Sequence, residues 1–201
     1  MYLIIDVETT GLPNKQGLPR KQFPDYKELH RYNTCRVVQL SMMLCDNQFK
    51  CIKLEDFVVK PVDFSIDNAE FHGITNEIAQ HNGLLLKDIF PYFEEHLINI
   101  THIIAHNIEF DINVIKSECF RLGYDNLLNI IDSKILLCTM HLTKDIVKAK
   151  NKYGIKYPSL AELYKFAFNE NITNAHNSKY DVINLHKIVE YLHMNNIINI
   201  F

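Results

Sequence analysis

The sequence has no surplus of basic residues, no Cys-x-x-Cys pair, no apolar run of membrane-spanning length, and no internal repeat or low-complexity segment. Each absence closes a class. Lys and Arg number 21 against 24 Asp and Glu, for a formal net charge of -3. That balance excludes a nonspecific duplex coater, and any nucleic acid must be held locally. The five cysteines, Cys35, Cys45, Cys51, Cys119 and Cys138, are odd in number and scattered. Reduced thiols in an intracellular compartment fit them best. No stretch approaches the roughly 20 apolar residues of a membrane helix. Only four residues separate Met1 from the first acid, too few for a signal peptide. The expectation is a soluble intracellular protein with no membrane partner. With 201 residues and 47% hydrophobic composition the chain can bury a sizeable core, and one domain spanning 1–201 is expected.

What is present begins with Tyr2-Leu3-Ile4-Ile5-Asp6-Val7-Glu8-Thr9-Thr10-Gly11. Four large apolar or aromatic residues run into two acids and a glycine turn, the pattern of a buried strand. Side chains alternate across a strand, so Asp6 and Glu8 project from one face. Like charges at short range in a partly dry site repel and raise one another's pKa. A pair of divalent cations would remove that cost; a strand running out into a polar, capped turn is the plain alternative.

Pro13 to Arg36 reads as a long basic loop, and loops of this length in compact domains are either functional or solvated insertions. Val37 to Cys45 and Phe49 to Val59 read as strands joined at Asp46-Asn47, in a meander with the first. Pro61 to Gly83 reads as irregular, with Thr75 placed to cap a short helix. Ile89, Phe93 and Leu97 predict a helix over Leu86 to Ile98. His102 to His106 is a short run of the buried parallel-strand type. From Asn107, an N-cap, the stripe Ile108, Ile112, Ile115, Cys119, Leu122 predicts a helix ended by Gly123. Beyond it the sequence predicts a fifth strand over Leu127 to Ile131, a helix over Ser133 to Leu142 and a basic linker over Lys144 to Lys156. A helix opened by Pro158 and Ser159, and a last one from about Lys179 to Met194, complete the order. Three strands followed by alternating helices and strands make an α/β layered domain with a mixed sheet.

Two further acids break the apolar pattern. Asp111 heads the stripe of its helix, and Asp181 heads the stripe Leu185, Ile188, Leu192 of the last one. The helix dipole favours an acid in a first turn but gives no reason for both to point inward. His176, five residues before Asp181, stands at the mouth of the last helix, and histidine suits a general base near neutral pH.

Asp6-Val7-Glu8-Thr9-Thr10-Gly11, His106-Asn107-x-x-Phe110-Asp111 and His176-x-x-x-x-Asp181, in this order, resemble the three motifs of the DEDD 3'-5' exonuclease superfamily. The histidine spacing is similar to that of the DEDDh branch, which includes the DNA polymerase III epsilon proofreading subunit and ribonuclease T. His72-Gly73-Ile74-Thr75 is similar to a segment between the first two motifs of epsilon-like members. The resemblance spans nearly the whole chain.

The resemblance implies a ribonuclease H-like α/β fold, with a mixed five-stranded sheet flanked by helices and its first strand central. It implies two divalent ions, Mg2+ or Mn2+, with Asp6 bridging both. Glu8 and Asp181 would complete one site, and Asp111 would support the other, partly through water. Glu8 and His176 are the catalytic residues it implies, His176 taking a proton from the attacking water. The terminal nucleotide would lie on Thr9, Thr10, Gly11 and Leu12, with His72 and Ile74 opposite and Asn107 and Phe110 beside the second motif. Leu12 and Ile74 would wedge against the last base, and Gly11 would let the backbone pass close to the substrate end. The implied reaction releases nucleoside 5'-monophosphates from single-stranded 3' ends of DNA or RNA. A polymerase or other replication or repair protein is the partner class it admits, with proofreading as one setting.

The sequence departs from the pattern at Asn177 and Lys179, beside the third motif, and in the length of the loop over 13–36. Lys15, Arg20, Lys21, Lys148, Lys150 and Lys152 are expected to guide a phosphate backbone. Two other classes stay open on the residues alone. One is a non-catalytic nucleic-acid-binding or polymerase-partner module of the same fold, and the other is a phosphodiesterase of small nucleotides. That all five catalytic positions are filled favours the enzyme.

Overall fold

A computed structural model describes residues 1–19, 21–173 and 176–198, so Arg20 lies outside the described residues. Strand β1 (Tyr2–Thr9) leads through a long loop, with one 3-10 turn at Leu29–Arg31, to β2 (Val37–Cys45) and β3 (Cys51–Val58). Helices α1 (Ala69–His72), α2 (Asn76–Asn82) and α3 (Leu86–Ile98) precede β4 (His102–Ala105). Helices α4 (Ile108–Leu122) and α5 (Asp125–Asp132) cross over to β5 (Ile135–Cys138). Two one-turn helices, α6 (Thr139–Leu142) and α7 (Lys144–Val147), lead to a small hairpin of β6 (Lys150–Asn151) and β7 (Gly154–Ile155). Helices α8 (Leu160–Phe168) and α9 (Ser178–Met194) complete the order. No helix among the described residues is long and apolar enough to cross a membrane.

The class is α/β, with a mixed five-stranded sheet ordered β3-β2-β1-β4-β5 and flanked by helices. β1 is central, antiparallel to β2 and parallel to β4. The chain therefore leaves β1 toward one edge and returns on its other side, and open α/β sheets bind ligands at such switch points, beyond the carboxyl ends of the parallel strands.

Alternation along β1 sorts its side chains into two cores. Leu3, Ile5 and Val7 pack with Ile89 and Phe93 of α3 and Ile112 and Ile115 of α4. Tyr2 and Ile4 pack with Val182, Leu185 and Val189 of α9. Asp6 and Glu8 continue the second set, so they leave the strand on the α9 face.

Several sequence expectations are corrected. Leu127 to Ile131 is helical within α5, because Leu127, Leu128 and Ile131 fall on one buried helix face and a short apolar run suits either period. The fifth strand is Ile135–Cys138, paired in parallel with β4, and only a single helical turn survives of the expected Ser133 to Leu142 helix. β5 is the sheet edge, and its four residues, Ile135-Leu136-Leu137-Cys138, are too few to show a strand period. The expected linker over Lys144 to Lys156 is α7 and the β6–β7 hairpin. The third strand begins at Cys51, because Phe49 turns with φ +63° and buries its ring against Tyr2, 5.8 Å between centroids. Pro61 to Gly83 holds two short helices, and Thr75 caps the second through Oγ1, which accepts from Ile78 N–H.

Candidate active site

The four acids come together at the C-terminal end of β1. Asp6, Glu8 and Asp181 can each offer a carboxylate oxygen within 4.8 Å of the others. Asp181 arrives on the first turn of α9, from the face toward which Asp6 and Glu8 point. Asp111 arrives from the opposite face on α4, is 2% exposed, and accepts a hydrogen bond from Val7 N–H at 3.1 Å. β4 stops pairing with β1 at Ile4–Ile104, and this leaves room for the α4 acid to reach the strand.

The charges are held against their preference. Burial, then Asp111, Asp181 and Glu8, push the Asp6 carboxyl well above its ordinary range. Burial raises Asp111 as well, against the pull of the Val7 N–H bond. Burial and the neighbouring Asp181 carry Glu8 up to about 7. Burial takes Asp181 up to about 6, while the His176 backbone N–H and the His176 charge draw it down. Among the described residues, no hydrogen-bond donor reaches the buried Asp181 Oδ1. Crowded carboxylates and an orphaned buried oxygen are the donor set of a hard divalent cation, so the residues present fit such an ion. Asp6, Glu8 and Asp181 are positioned to hold it directly, with Asp111 beside them.

Two non-glycine residues with left-handed backbone flank the acids. Asn107, at φ +76°, begins α4 without a side-chain capping bond, a correction to its expected capping role. His176, at φ +65°, precedes α9, and its backbone N–H donates to Asp181 Oδ2 at 3.2 Å. Such strain persists where surrounding structure over-determines it, and it clusters at functional sites. The His176 side chain is exposed at the mouth of the cluster.

The residues expected around a terminal nucleotide divide. Thr9 Oγ1 donates to the Gly11 carbonyl at 2.7 Å, and Thr10 Oγ1 accepts from Arg36 N–H at 2.9 Å. A Cβ on Gly11 would stand 2.8 Å from the Thr34 carbonyl oxygen, so the close approach at Gly11 is to the chain's own loop. Leu12 is 75% exposed and free to meet a ligand. Ile74 packs with Val38, Ile66 and Ala79, so in this conformation it is a core residue. His72 is buried, and its Nδ1 accepts from Ile74 N–H at 3.1 Å. Gly73, in the left-handed region at φ +76°, makes that tight return possible. Phe110 packs against the main core and the Phe23 ring, 6.2 Å between centroids.

Sequence reading missed the residues that fix this geometry. Asn68 Nδ2 donates to the Thr9 carbonyl at 2.9 Å, and Asn68 Oδ1 lies 3.3 Å from His72 Nε2, tying α1 to the end of β1. Ser41 Oγ lies 2.6 Å from Ser178 Oγ and fastens α9 to β2. Arg36, the last residue of the long basic loop, is buried and bidentate on Glu118, with Nε–Oε1 at 2.7 Å and Nη2–Oε2 at 3.2 Å. Arg31 likewise spends its charge on Glu28 and on the carbonyls of Asn14 and Gln16. A buried acid on α4 opposite a loop arginine is the only sequence signal any of these pairings leaves.

Residues 3–189 match the family model described as Exonuclease, RNase_T, and the chain belongs to this exonuclease family. No curated protein matches the sequence significantly. Among solved structures it is similar to exonuclease X in complex with 5' overhanging duplex DNA, at 20% identity and TM-score 0.63, over 99% of this chain and 95% of that one. It is similar to E. coli exonuclease I in a zinc-bound complex with single-stranded DNA, at 18% identity and TM-score 0.73, over 96% of this chain. The same enzyme with a dT13 oligonucleotide gives 19% identity and TM-score 0.71 over 96% of this chain. The chain spans 40% of the length of exonuclease I. At these identities the likeness establishes the fold, the ribonuclease H-like arrangement of these exonucleases.

Proposed function

We propose that the protein is a metal-dependent 3'-5' exonuclease that removes nucleoside 5'-monophosphates from single-stranded 3' ends of DNA or RNA, folded as one domain over 1–201. The observation that carries this is the convergence of Asp6, Glu8 and Asp181 within 4.8 Å. The membership of the chain in an exonuclease family gives that cluster its chemistry. Nucleic acid as substrate is supported by the DNA complexes of exonuclease X and exonuclease I, whose fold the chain shares. The 3'-5' direction is supported by the resemblance of the three motifs to those of 3'-5' exonucleases.

Bound Mg2+ or Mn2+ would supply charge neutralisation at the scissile phosphate and acidify the attacking water. The chain's own residues do the rest. Asp6, Glu8 and Asp181 collect the positive charge, and the Val7 N–H bond keeps Asp111 from swinging away. His176, exposed at the mouth and held by its strained backbone, accepts the proton of the attacking water on a ring nitrogen. Leu12, exposed beside the end of β1, meets the terminal base.

The test is hydrolysis of single-stranded oligonucleotides labelled at the 5' end, with Mg2+ or Mn2+ and with excess chelator. A ladder shortening from the 3' end, abolished by chelator, is expected. Intact substrate bound by the protein would replace this reading with a non-catalytic binding module, and label released first as a mononucleotide would reverse the direction.

A further inference from the structure

Beside the acid cluster, the chain builds a groove that the hydrolysis does not require. It runs between the long loop after β1 and the β6–β7 hairpin, as two adjoining depressions of about 300 and 360 Å3 that share Lys21 and Tyr157. Ligand clefts begin at roughly 300 Å3. The first depression reaches Asn107 and Glu109 at the start of α4, one turn ahead of Asp111. The second ends at Tyr153 on the hairpin tip, 80% exposed.

The hairpin end and the middle are braced. Tyr153 N–H donates to Asn151 Oδ1 at 2.8 Å, and Lys156 N–H closes the hairpin on the Ala149 carbonyl at 2.8 Å. Next to Tyr157, the Pro158 carbonyl lies 3.0 Å from His106 Nε2, which bonds the middle of the groove to the end of β4. The ammonium groups of Lys21 and Lys144, from two distant segments, each lie 5.2 Å from the Tyr157 ring centre. Lys156 on the rim is paired with Glu162, whereas Lys21 and Lys144 have no ion-pair partner among the described residues. Two unpaired cations converging on one ring, in a chain of net charge -3, make a local seat for an anion. Exposed rings set among lysines along a groove are how single strands are held, with bases stacked on the rings and phosphates on the ammonium groups. An acidic peptide would use the lysines but leave the exposed Tyr153 ring, with Lys152 Nζ 5.0 Å from its centre, without a base to stack on.

We propose that this groove is a second contact for single-stranded nucleic acid, which holds nucleotides upstream of the hydrolysed end, with Tyr153 stacked on a base and Lys21 and Lys144 on phosphate. The proposal rests on the exonuclease reading for the placement of that end, and its test separates the two. Fluorescence anisotropy in EDTA measures binding of labelled DNA and RNA strands of about 20 nucleotides without cutting. Steady-state hydrolysis with Mg2+ or Mn2+ then compares those strands with a trinucleotide. Tyr153→Ala, at an exposed tip, and Lys144→Ala are each expected to weaken long-strand binding about tenfold. The KM of the long strand should rise by the same factor with kcat held and the trinucleotide KM in place. Lys144→Ala should also reduce the slope of log Kd against log salt by about 0.7.

Wild-type affinity in both variants overturns the groove whatever the protein cuts, and so does a wild-type protein that binds no single strand in EDTA. Lost long-strand binding in a protein that cuts nothing upholds the groove and overturns the exonuclease reading. Polyglutamate displacing the oligonucleotide at lower concentration than unlabelled strand would assign the groove to an acidic peptide and overturn the proposal.

Discussion

The hydroxyl oxygens of Ser41 on β2 and Ser178 at the head of α9 lie 2.6 Å apart. Ser41 donates to Asp56 Oδ1 at 2.8 Å, which leaves its oxygen to accept from Ser178. Gln39 completes the link, with Oε1 accepting from Ser178 N–H at 3.3 Å. Ser41 and Gln39 are the cross-strand neighbours of Asp6 and Glu8, so this lattice sets where Asp181 meets them. Ser178→Ala is expected to cost about 1 kcal/mol, seen as a thermal midpoint lower by roughly 2–4 °C. Its nuclease rate should fall further than that loss of folded protein explains. A rate that tracks the folded fraction would reduce Ser178 to a packing residue.

Asp6 carries the electrostatic load of burial and three neighbouring acids. Asp6→Asn removes a charge the metal-free fold does not want. The variant should melt several degrees higher than wild type in chelator, lose the stabilisation wild type gains from Mg2+, and lose nuclease activity. A lower melting point in chelator would contradict the mutual repulsion of the cluster.

The pH dependence has a definite sign. Glu8 rises from 4.5 to about 7 and Asp181 from 3.8 to about 6 in the folded protein. The folded chain therefore holds more protons than the unfolded chain, and this contribution to stability is full below the unfolded values and lost as pH rises through the folded ones. His106, which burial pushes from 6.5 down to about 4, works in the opposite direction below 6.5. The decline is thus cleanest between about pH 6.5 and 8, where Glu8 ionises. Thermal melts in chelator should fall across that window, and the gain from saturating Mg2+ should grow with pH, because metal binding displaces protons. A metal gain independent of pH would separate Glu8 from the ion.

His176→Ala should slow hydrolysis about 10^2 to 10^4-fold while the Mg2+-induced rise in melting temperature persists. The backbone N–H of residue 176 still reaches Asp181, so the variant keeps the acids in place. Full activity would remove His176 from the reaction.

Arg36 and Glu118 form a buried pair whose removal exposes a different kind of dependence. The Arg36 backbone holds Thr10 through both its N–H and its carbonyl, so the pair steadies the end of β1 from below. Glu118→Ala leaves a buried guanidinium with Asp63 alone, and a loss of about 3–5 kcal/mol in urea unfolding is expected. A loss under about 1 kcal/mol would show that the site relaxes or hydrates around the charge.

Much of this architecture is legible because periodicity and chemistry coincide. The acids of β1 follow an unbroken apolar run, and α3 and α4 keep the bounds that their stripes and Gly123 dictate. Leu127 to Ile131 reads as a strand and folds as a helix for a physical reason: five residues are too few to separate a period of 2 from one of 3.6, and only burial against α3 and α4 chooses. Asp111 and Asp181 could be seen to point inward, but not that they approach β1 from opposite faces. That depends on which helix packs on which side. Ser41, Ser178 and Asn68 leave no signal because each is an ordinary polar residue until folding supplies its partner. Ile74 packs with Val38, Ile66 and Ala79, and its apolar chemistry would suit a base as well as a core.

Asp111 reaches β1 because β4 ends early. Three residues past its last pairing with β1, the Val7 N–H is met by a carboxylate where a longer strand would have offered a carbonyl. A sheet zipped through that point would gain ladder bonds and leave Asp111 no backbone N–H to accept from. The chain instead leaves the seam open and stitches it with Asp111, so one hydrogen bond both finishes the sheet and aims the acid. Any change that lengthens β4 should turn Asp111 away from the other acids while strengthening the fold.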